Sequence, residues 1–234
     1  LNADDPIVKG FATGAKAKVC FISCKTILPS GVYIENGNFT INLSGKKQVV
    51  CAVNDMKIFG AHNEQNALGA IACAYYAGVT VENMTKILKS FKGVEHRIEY
   101  VKTINGVPYY NDSKATNTDS TIKALEAFKD GHIILLAGGH DKMTDLTEMM
   151  NLIKTKTDAL ILLGEAKERF NEAAIKAGVK NIYLVDSFQA AVDKAHELAK
   201  APQVVLLSPA CSSYDMFDNF PHRGKVFKEM VNKL

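Results

Sequence analysis

From residue 98 onward, short apolar runs alternate with longer stretches in which apolar residues recur every three or four positions. His132-Ile-Ile-Leu-Leu-Ala137 and Gln203-Val-Val-Leu-Leu-Ser208 are apolar on both faces. Strands buried between two helical layers need that pattern, whereas a half-exposed strand alternates. Strands are predicted at 98–104, 107–111, 132–137, 159–163, 181–185 and 203–207. Helical stretches are predicted at 118–128, 145–155, 166–177 and 188–200, with a last helix from Lys225 to Lys233. Strand–helix alternation of this kind gives a doubly wound, Rossmann-like α/β sheet.

The first third has a different texture. Asp5-Pro6 opens a helix, since Pro is tolerated at a first helical position. Ala17 to Ser23 reads as a buried strand. Gly31 to Gly37 and Asn38 to Ser44 alternate around Asn36-Gly37, a hairpin signal, and Gln48 to Val53 makes a third strand. Two helices follow, His62 to Ala77 and Val81 to Phe91. The polar connection Lys92 to Arg97 contains Gly93. A boundary there divides the chain into 1–93 and 94–234.

Composition narrows the class. The chain has 234 residues, 47% hydrophobic and 23% charged, with a net charge of +3, within reach of one large domain or two small ones. That charge is too mild, and the basic residues too scattered, for a nucleic-acid partner. No apolar run approaches the ~18 residues of a membrane span. The five cysteines, at 20, 24, 51, 73 and 211, form no second cluster to complete a zinc site. They read as reduced, mostly buried thiols of a cytoplasmic protein.

The strand ends carry the chemistry. In a doubly wound sheet, ligands sit beyond the carboxyl ends of the strands. Three of those ends bear Asn111-Asp-Ser-Lys-Ala-Thr-Asn117, Gly138-Gly-His-Asp-Lys142 and Ser208-Pro-Ala-Cys-Ser-Ser-Tyr214. The first lies where a strand passes into a helix N-terminus, a natural anion site. Capping explains its Asn, Asp, Ser and Thr equally well, but a cap has no use for Lys114. Gly138-Gly139 lets a backbone approach a ligand, and Lys142 brings a mobile cation; a glycine turn with a solvated Lys is the plainer alternative. Ser212 and Ser213 are candidates for an N-cap. Cys211 reads as a small buried thiol rather than a nucleophile, Phe217 and Phe220 as core, and His222-Arg223-Gly224 as a solvated turn. Lys, Ser, Thr and exposed amides converging from three strand ends suit a small dicarboxylate or a phosphate.

In the first part, Asn63 and Asn66 open a helix and share one of its faces. Each amide offers a donor and an acceptor, as an adenine edge requires; capping by Asn63 is the alternative. Arg97 is placed to reach a ligand or to pair with Glu95 or Glu99. No Walker phosphate loop is present, because Gly10 to Lys16 lacks its spacing.

Taken in order, Asn2-Ala-Asp-Asp5, Gly60-Ala-His-Asn63 with Asn66, His96-Arg97-Ile-Glu99, Asn111 to Asn117, Ala137 to Lys142, Leu207 to Cys211, Asp218-Asn-Phe220 and Arg223-Gly224 resemble the Mur ligase family over essentially the whole chain. The Asn-Asp-Ser-Lys-Ala-Thr-Asn string is the specific part. The resemblance implies ATP-dependent addition of D-glutamate to UDP-N-acetylmuramoyl-L-alanine through an acyl phosphate, by a cytoplasmic monomer. It implies that 1–93 is the second half of a P-loop-type central ATPase domain with a small β-hairpin region. Residues 94–234 would then be the C-terminal, D-glutamate-binding domain. Asn63 and Asn66 would hold the adenine, and Arg97 and Asp112 the ribose and phosphate side of ATP. Lys114 and Lys142 would act at the reacting groups, with Thr116 and Lys142 on the α-carboxylate of D-glutamate. Ser213, with the backbone at Tyr214 and Phe220, would bind its side-chain carboxylate. The family's phosphate loop and Mg2+ ligands would lie upstream of Leu1, so the chain is expected to be a fragment inactive alone, with no metal ligand of its own. A folylpolyglutamate-synthase-like amide ligase and a non-catalytic nucleotide-binding module are the alternatives.

Overall fold

A computed structural model describes residues 1–128 and 130–234. They form two compact units, Leu1–Lys92 and Gly93–Leu234.

In the first unit, α1 (Pro6–Gly10) is capped by Asp5, whose carboxylate accepts from the amides of Ile7 and Val8. Then come β1 (Ile22–Ser23), β2 (Gly31–Glu35), β3 (Asn38–Leu43), β4 (Lys46–Ala52), α2 (Ala61–Tyr76) and α3 (Val81–Ser90). The sheet order is β1-β2-β3-β4. The β2–β3 hairpin turns on Asn36 and Gly37, both at positive φ, which is the geometry that Asn-Gly favours. One face of the sheet buries Val32, Phe39 and Ile41 against Leu68 and Ile71 of α2 and Met84 of α3. The strand expected over 17–23 is only two residues long. Its neighbour β2 pairs with it from Val32, opposite Ile22. On the other side Leu1 and Ala3 make their backbone bonds to Ile22 and the Leu1 ammonium reaches the Cys20 carbonyl, so the ladder stops well short of Ala17.

The second unit runs β5 (Glu99–Ile104), β6 (Val107–Asn111), α4 (Thr118–Ala127), β7 (Ile133–Gly138), α5 (Thr147–Lys156), β8 (Thr157–Leu163), α6 (Lys167–Ala177), β9 (Ile182–Leu184), α7 (Phe188–Leu198), β10 (Val204–Leu207) and α8 (Phe220–Lys233). Its sheet has the order β5-β6-β10-β7-β8-β9. All neighbours are parallel except the β5–β6 hairpin. Successive residues of β7 point to opposite layers. Ile133, Leu135 and Ala137 pack with α4, α5 and α6, and Ile134 and Leu136 with α7 and α8. This is the doubly wound sheet that the two-faced apolar runs require. No helix among the described residues is long and apolar enough to cross a membrane.

The topology sets β10 between β6 and β7, with Leu207 opposite both Asn111 and Leu136. The three chemically rich strand ends are therefore immediate neighbours. The chain leaves β6 for α4 on one face and enters β10 from α7 on the other, the kind of switch point where a crevice opens.

Several expectations are corrected here. The last helix starts at Phe220, five residues early, because Asn219 accepts from the His222 amide and Pro221 occupies the first turn. His222-Arg223 is thus helical, and Arg223 is 1% exposed. Ser212 and Ser213 cap no helix; the Ser213 carbonyl closes a turn by accepting from the amides of Met216 and Phe217. Phe217 and Phe220 are only partly buried. Of the five free cysteines, Cys51 and Cys211 are buried while Cys73 is exposed. Burial pushes the Cys211 thiol up to about 12, which suits a packing role rather than a nucleophile.

Candidate functional site

The first wall of the site is the turn after β6. Asn111 is fully buried. Its Oδ1 accepts from the Ser113 amide at 3.1 Å, and its Nδ2 donates to Glu99 Oε2 at 2.9 Å and lies 3.0 Å from His96 Nδ1. Asp112 points inward, 4% exposed. Its carboxylate accepts from the Ile98 amide (3.1 Å) and from Ser208 Oγ (2.8 Å), and Ser208 Oγ lies 3.1 Å from Thr121 Oγ1. Desolvation pushes the Asp112 carboxyl up to about 7, against the opposing pull of these donors and of Arg97 and Arg223. Beyond it, Asn117 caps α4 through the Ser120 amide, so a helix cap and a cleft-lining residue, Thr116, coexist in one segment.

Arg223, from α8, ties this wall to the next. Its Nε donates to Ser113 Oγ (2.9 Å). Its terminal nitrogens reach the carbonyls of Ser113 (2.8 Å), Cys211 (3.1 Å from each nitrogen) and Ser212 (3.3 Å). Ser113 Oγ in turn donates to the Phe220 carbonyl at 2.8 Å. A buried guanidinium requires such saturation. Desolvation still lowers it to about 10, which leaves it cationic at neutral pH. The neighbouring position must be glycine, because a Cβ on Gly224 would run into the His96 ring.

The second wall is the segment after β7. Gly138 and Gly139 have φ of 118° and 137°, values that L side chains rarely adopt. Their openness serves the protein itself rather than a ligand: a Cβ on Gly138 would strike the Leu163 carbonyl, and one on Gly139 would lie 2.5 Å from the Ser212 carbonyl. This close approach lets His140 and Ser212 pair as an isolated antiparallel bridge, with the His140 amide 3.0 Å from the Ser212 carbonyl. Asp141 is turned away by a two-pronged pairing with Arg169, at 2.6 and 3.0 Å. Lys142 remains exposed.

Between these walls lies a cleft of about 400 Å³ lined by Thr116, His140, Lys142, Ser212, Ser213, Tyr214 and Phe220. Thr116, Lys142, Ser213, Tyr214 and Phe220, the residues expected to meet an amino-acid substrate, therefore share one cavity. Lys114 borders it, with its ammonium 5.4 Å from the centre of the Phe220 ring, a cation–π contact. The lining offers one full cation, an imidazole, hydroxyls and an aromatic face, and no carboxylate. Chemically it is a site for an anion with some apolar body.

The residues expected on the nucleotide side are held differently. Arg97 is exposed, and Glu95 and Glu99, its expected alternative partners, instead hold Lys228 at 2.6 and 2.9 Å. In the first unit, Gly60 rather than Asn63 is the N-cap of α2. Asn63 donates to the Phe59 carbonyl (2.9 Å) and accepts from Asn66 (3.4 Å). Glu95, His96 and Glu99 bring ligand atoms within 4.8 Å of one another. The Lys228 ammonium already bridges the two carboxylates, and His96 Nδ1 is engaged by Asn111 Nδ2. This trio does not fit a divalent cation.

Sequence reasoning missed His140 and Ser212 as lining residues, and Arg223 as the tie between loops. The sequence held a signal for Arg223: Asn219-Phe-Pro is a helix start, which turns Arg223 inward one turn later.

Comparison with known proteins bears on the family of the chain. Positions 96–211 match the family described as Mur ligase, glutamate ligase domain. The chain is 45% identical over 236 residues to a UDP-N-acetylmuramoylalanine–D-glutamate ligase of Caldanaerobacter subterraneus subsp. tengcongensis, covering 100% of this chain and 51% of that protein. It is 42% identical over 234 residues to the protein of that name from Clostridioides difficile, with the same coverage. The chain thus spans about half the length of the curated relatives it matches. Among solved structures, MurF from Acinetobacter baumannii superposes with a TM-score of 0.69 at 17% identity, covering 99% of this chain and 51% of that one. MurF from Thermotoga maritima in complex with ADP gives 0.64 at 15% identity, covering 98% and 52%. Those two likenesses bear on the fold alone. With the relatives' match running the whole length of the chain, and its strand-end residues gathered on one rim of a doubly wound sheet, the chain belongs to the Mur ligase family.

Proposed function

We propose that this chain serves ATP-dependent addition of D-glutamate to UDP-N-acetylmuramoyl-L-alanine, a carbon–nitrogen ligation of peptidoglycan precursor synthesis. The unit from Gly93 binds the amino acid, and the unit before it contributes to nucleotide binding. One observation carries the reading: the five residues that the family resemblance assigns to D-glutamate line a single cleft. Lys142 and Thr116 take the α-carboxylate. Ser213, with the backbone at Tyr214 and Phe220, takes the side-chain carboxylate. A charged and a hydroxyl donor on one carboxylate, and hydroxyl with backbone donors on the other, orient the amine for attack. Lys114, over the Phe220 ring beside the cleft, stabilises the negative charge that develops at the reacting carbonyl.

ATP, when bound, supplies the phosphoryl group that activates the acceptor carboxylate. Asn66, exposed on α2 and steadied by Asn63, offers its amide to adenine. Arg97, exposed and without an ion pair among the described residues, suits the ribose and phosphate side. Asp112 serves that side by fixing the Ile98 amide next to Arg97. The Glu95–His96–Glu99 trio, with Lys228 between its carboxylates, does not fit Mg2+.

The test is a calorimetric titration of the chain with D- and L-glutamate. D-Glutamate is expected to bind in preference, and Lys142→Ala to weaken it by about tenfold or more, the worth of one charge-assisted contact, with nucleotide affinity unchanged. Equal binding of L-glutamate would favour a folylpolyglutamate-synthase-like ligase. Nucleotide binding with no amino-acid binding would favour the non-catalytic module.

A further inference from the structure

His140 belongs to no motif assigned above, yet it lines the cleft together with Lys142. Its backbone is fixed to the opposite wall through the bridge to Ser212. Its ring is fixed by Glu165, whose Oε2 lies 2.6 Å from Nδ1. Glu165 is itself anchored, its amide donating to Asp215 Oδ2 at 3.1 Å, and Asp215 sits in the turn that follows Ser213. A carboxylate at Nδ1 leaves that nitrogen as the donor and Nε2 as the free position.

The charge balance in the cleft gives Nε2 something to do. A dicarboxylic amino acid carries a carboxylate at each end besides its ammonium. Among the described residues Lys142 is the only full cation in the lining, with Lys114 at its border, so one lining cation cannot meet both ends. Of the other charged groups near His140, Asp141 is paired with Arg169, and Asp215 keeps its charge while accepting from the Glu165 amide. Glu165 therefore stands behind the imidazole as an unmatched anion, ready to balance a proton on the ring. We propose that His140 is a further substrate-binding and specificity residue: it takes up a proton as the amino acid binds and donates through Nε2 to one of its carboxylates. The proton comes from solvent, and the ring then bridges two carboxylates, that of Glu165 and that of the ligand. This rests on the D-glutamate reading of the cleft.

The experiment is calorimetric titration of the 234-residue chain with D-glutamate at neutral pH, in two buffers of different ionisation enthalpy. The wild-type heat should differ between buffers, as proton uptake requires. His140→Ala should lose about tenfold in affinity and lose the buffer dependence. Glu165→Gln, which keeps the ring but removes the anion behind it, should give a smaller loss and a reduced proton uptake. Both side chains are about half exposed, so neither variant threatens the fold. If Lys142→Ala weakens binding while His140→Ala binds as the wild type with the same proton uptake, the role of His140 is overturned and the glutamate cleft stands. If D-glutamate does not bind the wild type, or Lys142→Ala leaves binding unchanged, the reading of the cleft itself falls.

Discussion

The rim of the second unit and the start of α2 in the first are both rich in polar side chains, but they are built in opposite ways. At the rim, Asn111, Asp112, Ser113, Ser208 and Arg223 are buried, and each is tied to two or more partners from other segments. At α2, Asn63 and Asn66 are held by one local bond each way, to Phe59 and to one another. A buried polar group must have its partners or destabilise the fold, whereas an exposed one has water in reserve. The rim is therefore shaped before any ligand arrives, with Thr116, Lys142 and Ser213 carried on a rigid frame. The amides of α2 owe little to the fold and are free to answer a ligand.

The sharpest test of this contrast is Arg223→Met. It keeps the aliphatic stem but leaves the carbonyls of Ser113 and Cys211 without the Arg223 donor, and that of Ser212 with the His140 amide alone. Breaking a buried charged network by removing one member costs about 3–5 kcal/mol. Urea unfolding of the second unit should show that loss, and D-glutamate affinity should fall with it. Gly224→Ala attacks the same frame by sterics. Its Cβ would meet the His96 ring and stand 3.1 Å from Asn111 Nδ2, for an expected cost of about 1–3 kcal/mol. If Arg223→Met unfolds at the wild-type urea concentration, the rim is not a prebuilt frame.

Asp112 tests the frame through pH. Its carboxyl titrates near 7 in the folded chain, because burial outweighs its hydrogen bonds, and near 4 when unfolded. Between those values the folded state holds the proton that the unfolded state has released. On account of this group, stability is highest below about pH 4, falls as pH rises to about 7, and is level above that. Asp112→Asn removes the titration and preserves the bonds. Its carbonyl still accepts from Ile98, and its amide donates to Ser208 Oγ, which then turns its own proton to Thr121. The wild type should therefore lose on the order of 4 kcal/mol relative to Asp112→Asn between those limits. A difference independent of pH would show that Asp112 is solvated, against the frame described.

Much of this was legible in the chain, for identifiable reasons. The two-faced apolar runs of β7 and β10 dictated a sheet covered on both sides, and the rule that ligands gather at the carboxyl ends then chose the rim. That Thr116, Lys142 and Ser213 share a rim followed from those two steps. The order β6-β10-β7, which makes the three ends neighbours, was not readable, because strand order is decided by crossovers that leave no local mark. Nor was the meaning of Gly138-Gly139, which makes room for the Leu163 and Ser212 carbonyls rather than a ligand. Arg223 was misplaced because Arg is normally solvated, and only the five bonds awaiting it inside the fold overturn that preference. His140 was overlooked because its partner, Glu165, is distant in sequence.

The smallest expected effect on stability belongs to the other side of the contrast. Asn66 is exposed, and its one internal contact is a long 3.4 Å bond to Asn63. Replacing it with Ala removes little, and Ala is the better helix former. Asn66→Ala should leave unfolding within about 0.5 kcal/mol of the wild type, yet weaken an adenine nucleotide by several fold if its amide reads the base. Measuring both on one preparation makes the result decisive. Lost stability without lost nucleotide affinity would place Asn66 in the frame. Lost affinity alone would make α2 the responsive side of the molecule, as its sparse bonding implies.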